Sequence, residues 1–336
     1  MAELTPRPGE QVPTKGTSCP TPSKTPLPTR FTLRELMAMN LPDPVCVVDN
    51  LITQGVNLLV SRPKVGKSWA DMEASLAVAS ESGTVLGGKD VLHGAVLLLA
   101  LEDNPRRLRE RYRKLLGTGK IPDRLTIWTQ SKRLGDGVLD DIAQWIEGAT
   151  GPRLVVIDTF ARIRDLDHGG GNPYLRDYAD MGRIKAIADR YEVAFWVNHH
   201  ERKMPADDWL DGVSGTAGLS AAADNILLLR RPRHDCDGSL HVTGRDVREA
   251  ELGIRFDFDA CRWSLTGGPP VVKLSRKRLE VLNLMANMGK PLTPKEIADL
   301  NEWDENTTKV LCHRMRKADQ LKSNGNGAYV IPMPDR

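Results

Sequence analysis

The sequence lacks the features that would place it in a membrane or outside the cell. No apolar run approaches the ~20 residues a spanning helix needs. The first residues are polar and proline-rich, not a charged stretch followed by an apolar one, so neither a membrane span nor a secretion signal is expected. Five cysteines (Cys19, Cys46, Cys236, Cys261, Cys312) are an odd number without a C-x-x-C pair. That suits reduced thiols in a cytoplasm better than a disulfide framework. His234 and Cys236 are too few for a metal site and read as a solvated turn. Strong charge of one sign is also missing, since the formal net charge is +3. The excess is uneven: residues 271–336 carry 12 Lys+Arg against 8 Asp+Glu, and residues 1–30 carry 4 against 2. The basic surplus therefore lies outside the centre of the chain and points to a polyanionic partner for its C-terminal part.

With 336 residues, 40% of them hydrophobic, there is room for one large α/β domain and one small one. Residues 1–30, rich in Pro, Thr, Ser and Lys, cannot bury enough surface to offset their ordering entropy and are expected to be disordered. Residues 31–266 form the large domain, 267–272 a Gly/Pro linker and 273–336 the small domain. Short apolar runs at 56–60, 95–101, 125–130, 153–160, 193–200 and 225–231 alternate with helical patterns, which predicts a mostly parallel sheet with helices on both faces. Two later segments, SLHVTGRD and IRFDF, read as a closing antiparallel pair.

The first run leads into the loop SRPKVGKS and then a helical pattern in which Trp69, Met72, Leu76 and Ala79 share one face. Strand, loop and helix make Gly-Lys-Ser chemically meaningful. Backbone N–H groups at the loop and helix start can surround a polyphosphate, Lys67 can reach the β and γ phosphates, and Ser68 can ligate Mg²⁺. The expected nucleotide-binding stretch is Ser61, Arg62, Pro63, Lys64, Val65, Gly66, Lys67, Ser68 and Trp69. Ser61 stands where the phosphate-loop pattern wants its first glycine.

Ligands of such sheets collect beyond the C-terminal strand ends. Glu102, Asp158 and His199–His200 also follow directly after strand-like runs, so four stretches should converge on one edge. Asp158 can hold Mg²⁺ with Ser68, or merely cap a turn. Glu102 can orient and deprotonate an attacking water. The blander reading is that residues 102–104 cap the next helix, with Asp103 or Asn104 as N-cap. His200 can contact the γ-phosphate or be structural, and Arg245 can serve a neighbouring subunit's nucleotide, with Arg230, Arg231 and Arg248 as competitors.

PKVGKSW, LLLALEDNPRRLRERY, LVVIDTF, FWVNHHERK and GVSGTAGLSAAADNILLLRR, taken in order, resemble the RecA-type P-loop ATPases of the RepA-like and DnaB-like hexameric helicases of plasmids, phages and bacteria. The resemblance implies ATP and Mg²⁺ at the interfaces of a six-subunit ring, single-stranded DNA in the channel, and a replication initiator or primase as a further partner. It makes Lys67 and Ser68 phosphate and metal contacts, Glu102 the base, Asp158 the second metal-site acid, His200 the sensor and Arg245 the finger reaching across the interface. Thr243 replaces a basic residue usual in DnaB-like proteins.

DNA contacts are expected from Arg164 in the glycine loop and from Arg202 and Lys203 in the loop after His200. Aromatics are only 5% of residues and offer no evident stacking platform, so backbone phosphates should dominate. In the small domain Leu279, Leu282, Met285 and Ala286 form a helical stripe, Thr293 and Glu296 a capping box, and Asp304 a cap. A third helix turns Leu311, Met315 and Ala318 inward and leaves Lys309, His313, Arg314, Arg316 and Lys317 outside, and a Gly/Asn hairpin follows. This resembles a winged helix-turn-helix that binds double-stranded DNA or protein. A RecA-fold ATPase that loads proteins on DNA without unwinding, and a nucleotide-binding DNA regulator, remain alternatives to a helicase.

Overall fold

The computed structural model describes residues 30–41, 43–165, 172–201, 217–232, 235–267, 276–317 and 320–332. The expectations for residues 1–29, His234, 268–272 and Ala318 lie outside these. The chain divides into two compact units, Met1–Val271 and Val272–Arg336.

In the first unit α1 (Leu33–Ala38) opens on a capping box in which Thr32 and Glu35 satisfy each other's backbone N–H groups. β1 (Cys46–Val48) and β2 (Ile52–Thr53) form a hairpin where an irregular lead-in is expected. Then follow β3 (Gly55–Ser61), α2 (Lys67–Ala79), a second hairpin of β4 (Thr84–Val85) and β5 (Lys89–Asp90), β6 (Ala95–Ala100), α3 (Pro105–Leu116), β7 (Leu125–Trp128), α4 (Val138–Gly148) and β8 (Pro152–Asp158). The unit continues with α5 (Phe160–Ile163), α6 (Pro173–Tyr191), β9 (Ala194–His200), α7 (Ala217–Ala222), β10 (Asn225–Arg230), β11 (Asp237–Gly244), β12 (Ala250–Asp257) and β13 (Arg262–Leu265).

Nine of these strands make one sheet in the order β13-β12-β11-β10-β3-β9-β8-β6-β7. β10, β3, β9, β8, β6 and β7 pair in parallel, and β11 to β13 continue the sheet antiparallel. Successive residues of a strand point to opposite faces, so each strand feeds two cores. Leu59, Leu98, Val156 and Trp196 pack on one face with Met72 and Val78 of α2. Leu58, Val60, Leu97, Leu99 and Ile157 pack on the other with Ile142 of α4 and Ile184 of α6. Burying each such side chain contributes about 1.5–3 kcal/mol.

α2 buries the expected Met72, Leu76 and Ala79 and goes further, with ten of its residues buried, including Asp71 and Glu73. The cause is β13, which extends the sheet past the expected closing pair and brings Trp263 onto α2 and the loop before it. Among the described residues, no helix is long and apolar enough to cross a membrane.

The second unit has α8 (Arg276–Met288), α9 (Pro294–Asn301), α10 (Glu305–Lys317) and an antiparallel pair, β14 (Lys322–Ser323) with β15 (Tyr329–Val330). Thr293 and Glu296 form the expected capping box, and Asp304 accepts from Thr307 N at 2.8 Å. The core holds Val281, Met285, Leu292, Ile297, Cys312, Met315 and Leu321. Ala286, expected in the stripe, is exposed, because Val281 and Met285 set the buried line of α8 one position away.

Candidate functional site

The edge on which the parallel strands end gathers the polar residues. Register sets Ser61 beside His200, Ile157 beside Val197, and Ala100 beside Asp158, so the ends of β3, β9, β8 and β6 adjoin in that order. Between β3 and α2 the chain turns through Lys64 (φ 66°) and Gly66 (φ 120°). Glycine is required at 66 on two counts, its left-handed backbone and its neighbour: an added Cβ would lie 3.0 Å from Trp263 Cζ2. Ser61 is buried, and its hydroxyl donates to the Arg62 carbonyl at 2.8 Å, so the side chain replacing the usual glycine is tied back to its own loop. Arg62, Pro63 and Lys64 are exposed, Val65 is buried, and Trp69 lies half-buried with the Arg111 guanidinium 5.2 Å from its ring centre.

Lys67 opens α2 and is buried. Its ammonium donates to the Ser61 carbonyl at 3.3 Å and meets His200 Nδ1 at 3.1 Å. Burial lowers the lysine pKa, opposed by the charges of Asp71, Asp158 and Glu102. Burial and then the lysine charge lower that of His200, so the ring is neutral, accepts at Nδ1 and carries its proton on Nε2. Ser68 Oγ donates to Asp158 Oδ2 at 2.7 Å. Asn198, buried in β9, donates its amide to Asp158 Oδ1 at 3.0 Å and to Asp71 Oδ2 at 2.5 Å, while Trp196 Nε1 fixes the amide orientation by donating to Asn198 Oδ1 at 3.1 Å. Burial, then the Asp158 charge, raises the Asp71 pKa well above the usual carboxylate range.

Beyond β6, Asp103 pairs with Arg107 (2.7 Å) and Arg111 (2.5 Å), and Asn104 caps α3 by accepting from Arg107 N at 2.9 Å. Capping therefore falls to Asn104 and leaves Glu102 exposed, with its charge felt by both Lys67 and His200.

The remaining basic residues divide. Arg245 follows β11 at the opposite edge of the sheet, where it pairs with Asp224 Oδ1 at 3.2 Å while its side chain stays 60% exposed. Two of its competitors have engaged side chains. Arg230 pairs with buried Glu201 at 2.7 Å, and Arg231 donates to the Val65 carbonyl at 3.1 Å beneath Phe256, Phe258 and Trp263. Arg248 meets Asn50 through its backbone alone, and its side chain is exposed, so it stays a competitor. Arg164, expected to contact DNA, pairs with Asp177 at 2.5 Å and Asp180 at 3.1 Å, because α6 returns both acids to the end of α5. Arg202 and Lys203 lie outside the described residues. In the second unit Lys309 pairs with Glu305 at 2.7 Å, and Arg314, Arg316 and Lys317 are exposed on α10.

Asp71, Asn198, Glu73 and Trp263 are part of the site's frame that sequence reasoning missed. The signal for the first two is a polar residue inside an otherwise apolar pattern, one turn after Lys67 and two residues before His200. Nothing local marks Trp263.

The AAA domain family profile matches residues 20–206, more than half of the chain. No curated protein sequence matches it. Among solved structures, one described as an ATPase domain shares 12% identity at a TM-score of 0.49, over 63% of this chain and 84% of that one. A DnaB-like replicative helicase, described with its interactions with primase, shares 12% identity at a TM-score of 0.53, over 69% of this chain and 66% of that one. The nine-stranded sheet is of the RecA-like α/β kind.

Proposed function

This chain belongs to the AAA domain family, and from that premise we propose that it hydrolyses ATP to drive movement along single-stranded DNA, as a ring-forming helicase of the RepA/DnaB type acting in replication of a plasmid, phage or other mobile element. The observation that carries the reading is the meeting of Lys67, the Ser68–Asp158 pair, Glu102 and His200 at adjoining strand ends.

Lys67 binds the β and γ phosphates with an ammonium that burial leaves poorly solvated. The same ammonium meets His200 Nδ1, so a γ-phosphate oxygen competes with the ring for it, which suits His200 as a sensor of phosphate. Glu102, exposed and without a partner among the described residues, aligns and deprotonates the attacking water. Mg²⁺ fits the hydroxyl of Ser68 and carboxylate of Asp158, hard oxygen donors 2.7 Å apart at a helix start. When bound, the ion neutralises phosphate charge. Arg245, half-free at the far edge, completes a neighbour's site in a hexamer, and Arg202 and Lys203 contact the strand.

In the second unit, three helices followed by a two-stranded hairpin support a winged helix-turn-helix in which Arg314, Arg316 and Lys317 meet double-stranded DNA. The test is phosphate release and strand displacement by the full chain, with and without single-stranded DNA. Stimulated turnover with displacement is expected. Turnover without displacement favours an ATPase that loads or remodels proteins on DNA, and no turnover overturns the reading.

A further inference from the structure

Tyr174 and Tyr178 stand one turn apart at the start of α6, their rings inclined by only 14° with centroids 6.3 Å apart. Both are open to solvent, at 37% and 49%, and Leu175 between them is 61% exposed. The exposure follows from the helix's seating. Asp177, Met181, Ile184 and Ala188 take the buried face, which turns 174, 175 and 178 outward. The turn is fixed, with Pro173 in the first turn and Asn172 Oδ1 accepting from Tyr174 N at 2.9 Å. Large rings held parallel and left in water have no role in the core of this unit.

A second observation concerns what else reaches this turn. Gly218, in α7, is so close that a Cβ there would lie 2.4 Å from the Tyr174 carbonyl and 3.1 Å from the Tyr178 nitrogen. The chain therefore comes to the tyrosine pair twice, through Asn172 and through Gly218. Of the nearby acids, Asp177 and Asp180 share Arg164, which offsets one of their two charges.

We propose that Tyr174 and Tyr178 form a stacking platform for the bases of single-stranded nucleic acid. The inference rests on the reading of the chain as a single-strand translocase and adds a base contact to the phosphate contacts expected there. Stacking tolerates any sequence, since every base has a π-face, and so suits a protein that must step along all of them. It also supplies the stacking platform that the sequence did not make evident.

The test uses the full chain with ATP and Mg²⁺, a fluorescent thymidine oligonucleotide and an abasic strand of equal phosphate count. The Tyr174→Ala/Tyr178→Ala variant is expected to lose about ten-fold in affinity for the base-bearing strand. Its slope of log affinity against log salt should be unchanged, and it should bind the abasic strand as the wild type does. Tyr174→Phe/Tyr178→Phe should retain wild-type binding, and Tyr174→Leu/Tyr178→Leu, which keeps apolar bulk, should behave as the alanine pair. Equal losses on both strands, no loss on either, or a changed oligomeric mass with DNA affinity intact overturns the platform. Wild-type protein that binds neither strand overturns the translocase reading and this inference with it. Wild-type binding with indifferent variants overturns this inference alone.

Discussion

The Ser68 hydroxyl donates to Asp158 Oδ2 at 2.7 Å, joining the first turn of α2 to the end of β8 across 90 residues of sequence. In the proposed function these two oxygens are the protein's donors to Mg²⁺. Ser68→Ala and Asp158→Asn are each expected to cut Mg²⁺-dependent ATP turnover by about 10²-fold or more, as loss of an electrostatic stabiliser does. The Mg²⁺ concentration for half-maximal turnover should rise for both, read by phosphate release across a metal titration.

Glu102 makes a cleaner separation of binding from chemistry. Asn104 caps α3 and Asp103 is held by two arginines, so Glu102→Gln disturbs neither. Turnover should fall about 10²–10⁴-fold, the range for loss of a general base, with nucleotide affinity by calorimetry unchanged. Full turnover in this variant would assign the base elsewhere.

The edge that carries these groups was legible in the sequence, because strand ends are marked by the switch from an apolar run to Ser61, Glu102, Asp158 or His200. Local pattern suffices there. The frame behind them was not legible, since it depends on pairing far along the chain. Arg164 looks free in sequence but meets Asp177 and Asp180 only after α6 folds back. Trp263 reaches Gly66 and Glu73 only once the antiparallel strands extend the sheet. Tyr174 and Tyr178 count as two scattered aromatics until a helix sets them parallel.

Asp224 is buried at the opposite edge, where it accepts from Val56 N at 2.9 Å and pairs with Lys185 at 2.8 Å and Arg245 at 3.2 Å. Removing one member of such a buried group strands the others. Asp224→Ala should lower unfolding stability by about 3 kcal/mol, and Arg245→Ala by much less, as its side chain is mostly exposed. Urea unfolding of both variants checks the ranking.

Stability should also respond to pH from two directions. Burial pushes the His199 pKa down to about 4 from 6.5, with the Asp177 charge opposing. The unfolded chain takes up that proton first, so this contribution is whole above pH 6.5 and declines by about 3 kcal/mol as pH falls towards 4. Burial pushes Glu73 up to about 7, so the folded chain keeps a proton that the unfolded chain releases near 4.5, and stability declines as pH rises from 4.5 through 7. His199→Gln should flatten the acid limb of urea midpoints against pH, and Glu73→Gln the neutral one. If neither limb changes, the two groups do not titrate as their burial dictates.

Trp263 bears on the order in which the protein is made. Its backbone N–H reaches Glu73 across 190 residues and its indole reaches the Gly66 carbonyl across 197. The phosphate loop is thus among the first parts of the large unit to leave the ribosome and among the last to gain its lid of packed side chains. A nascent chain halted before β13 would carry every residue of the loop yet expose the acid and the glycine that Trp263 covers, so nucleotide binding by the growing chain should begin late and abruptly.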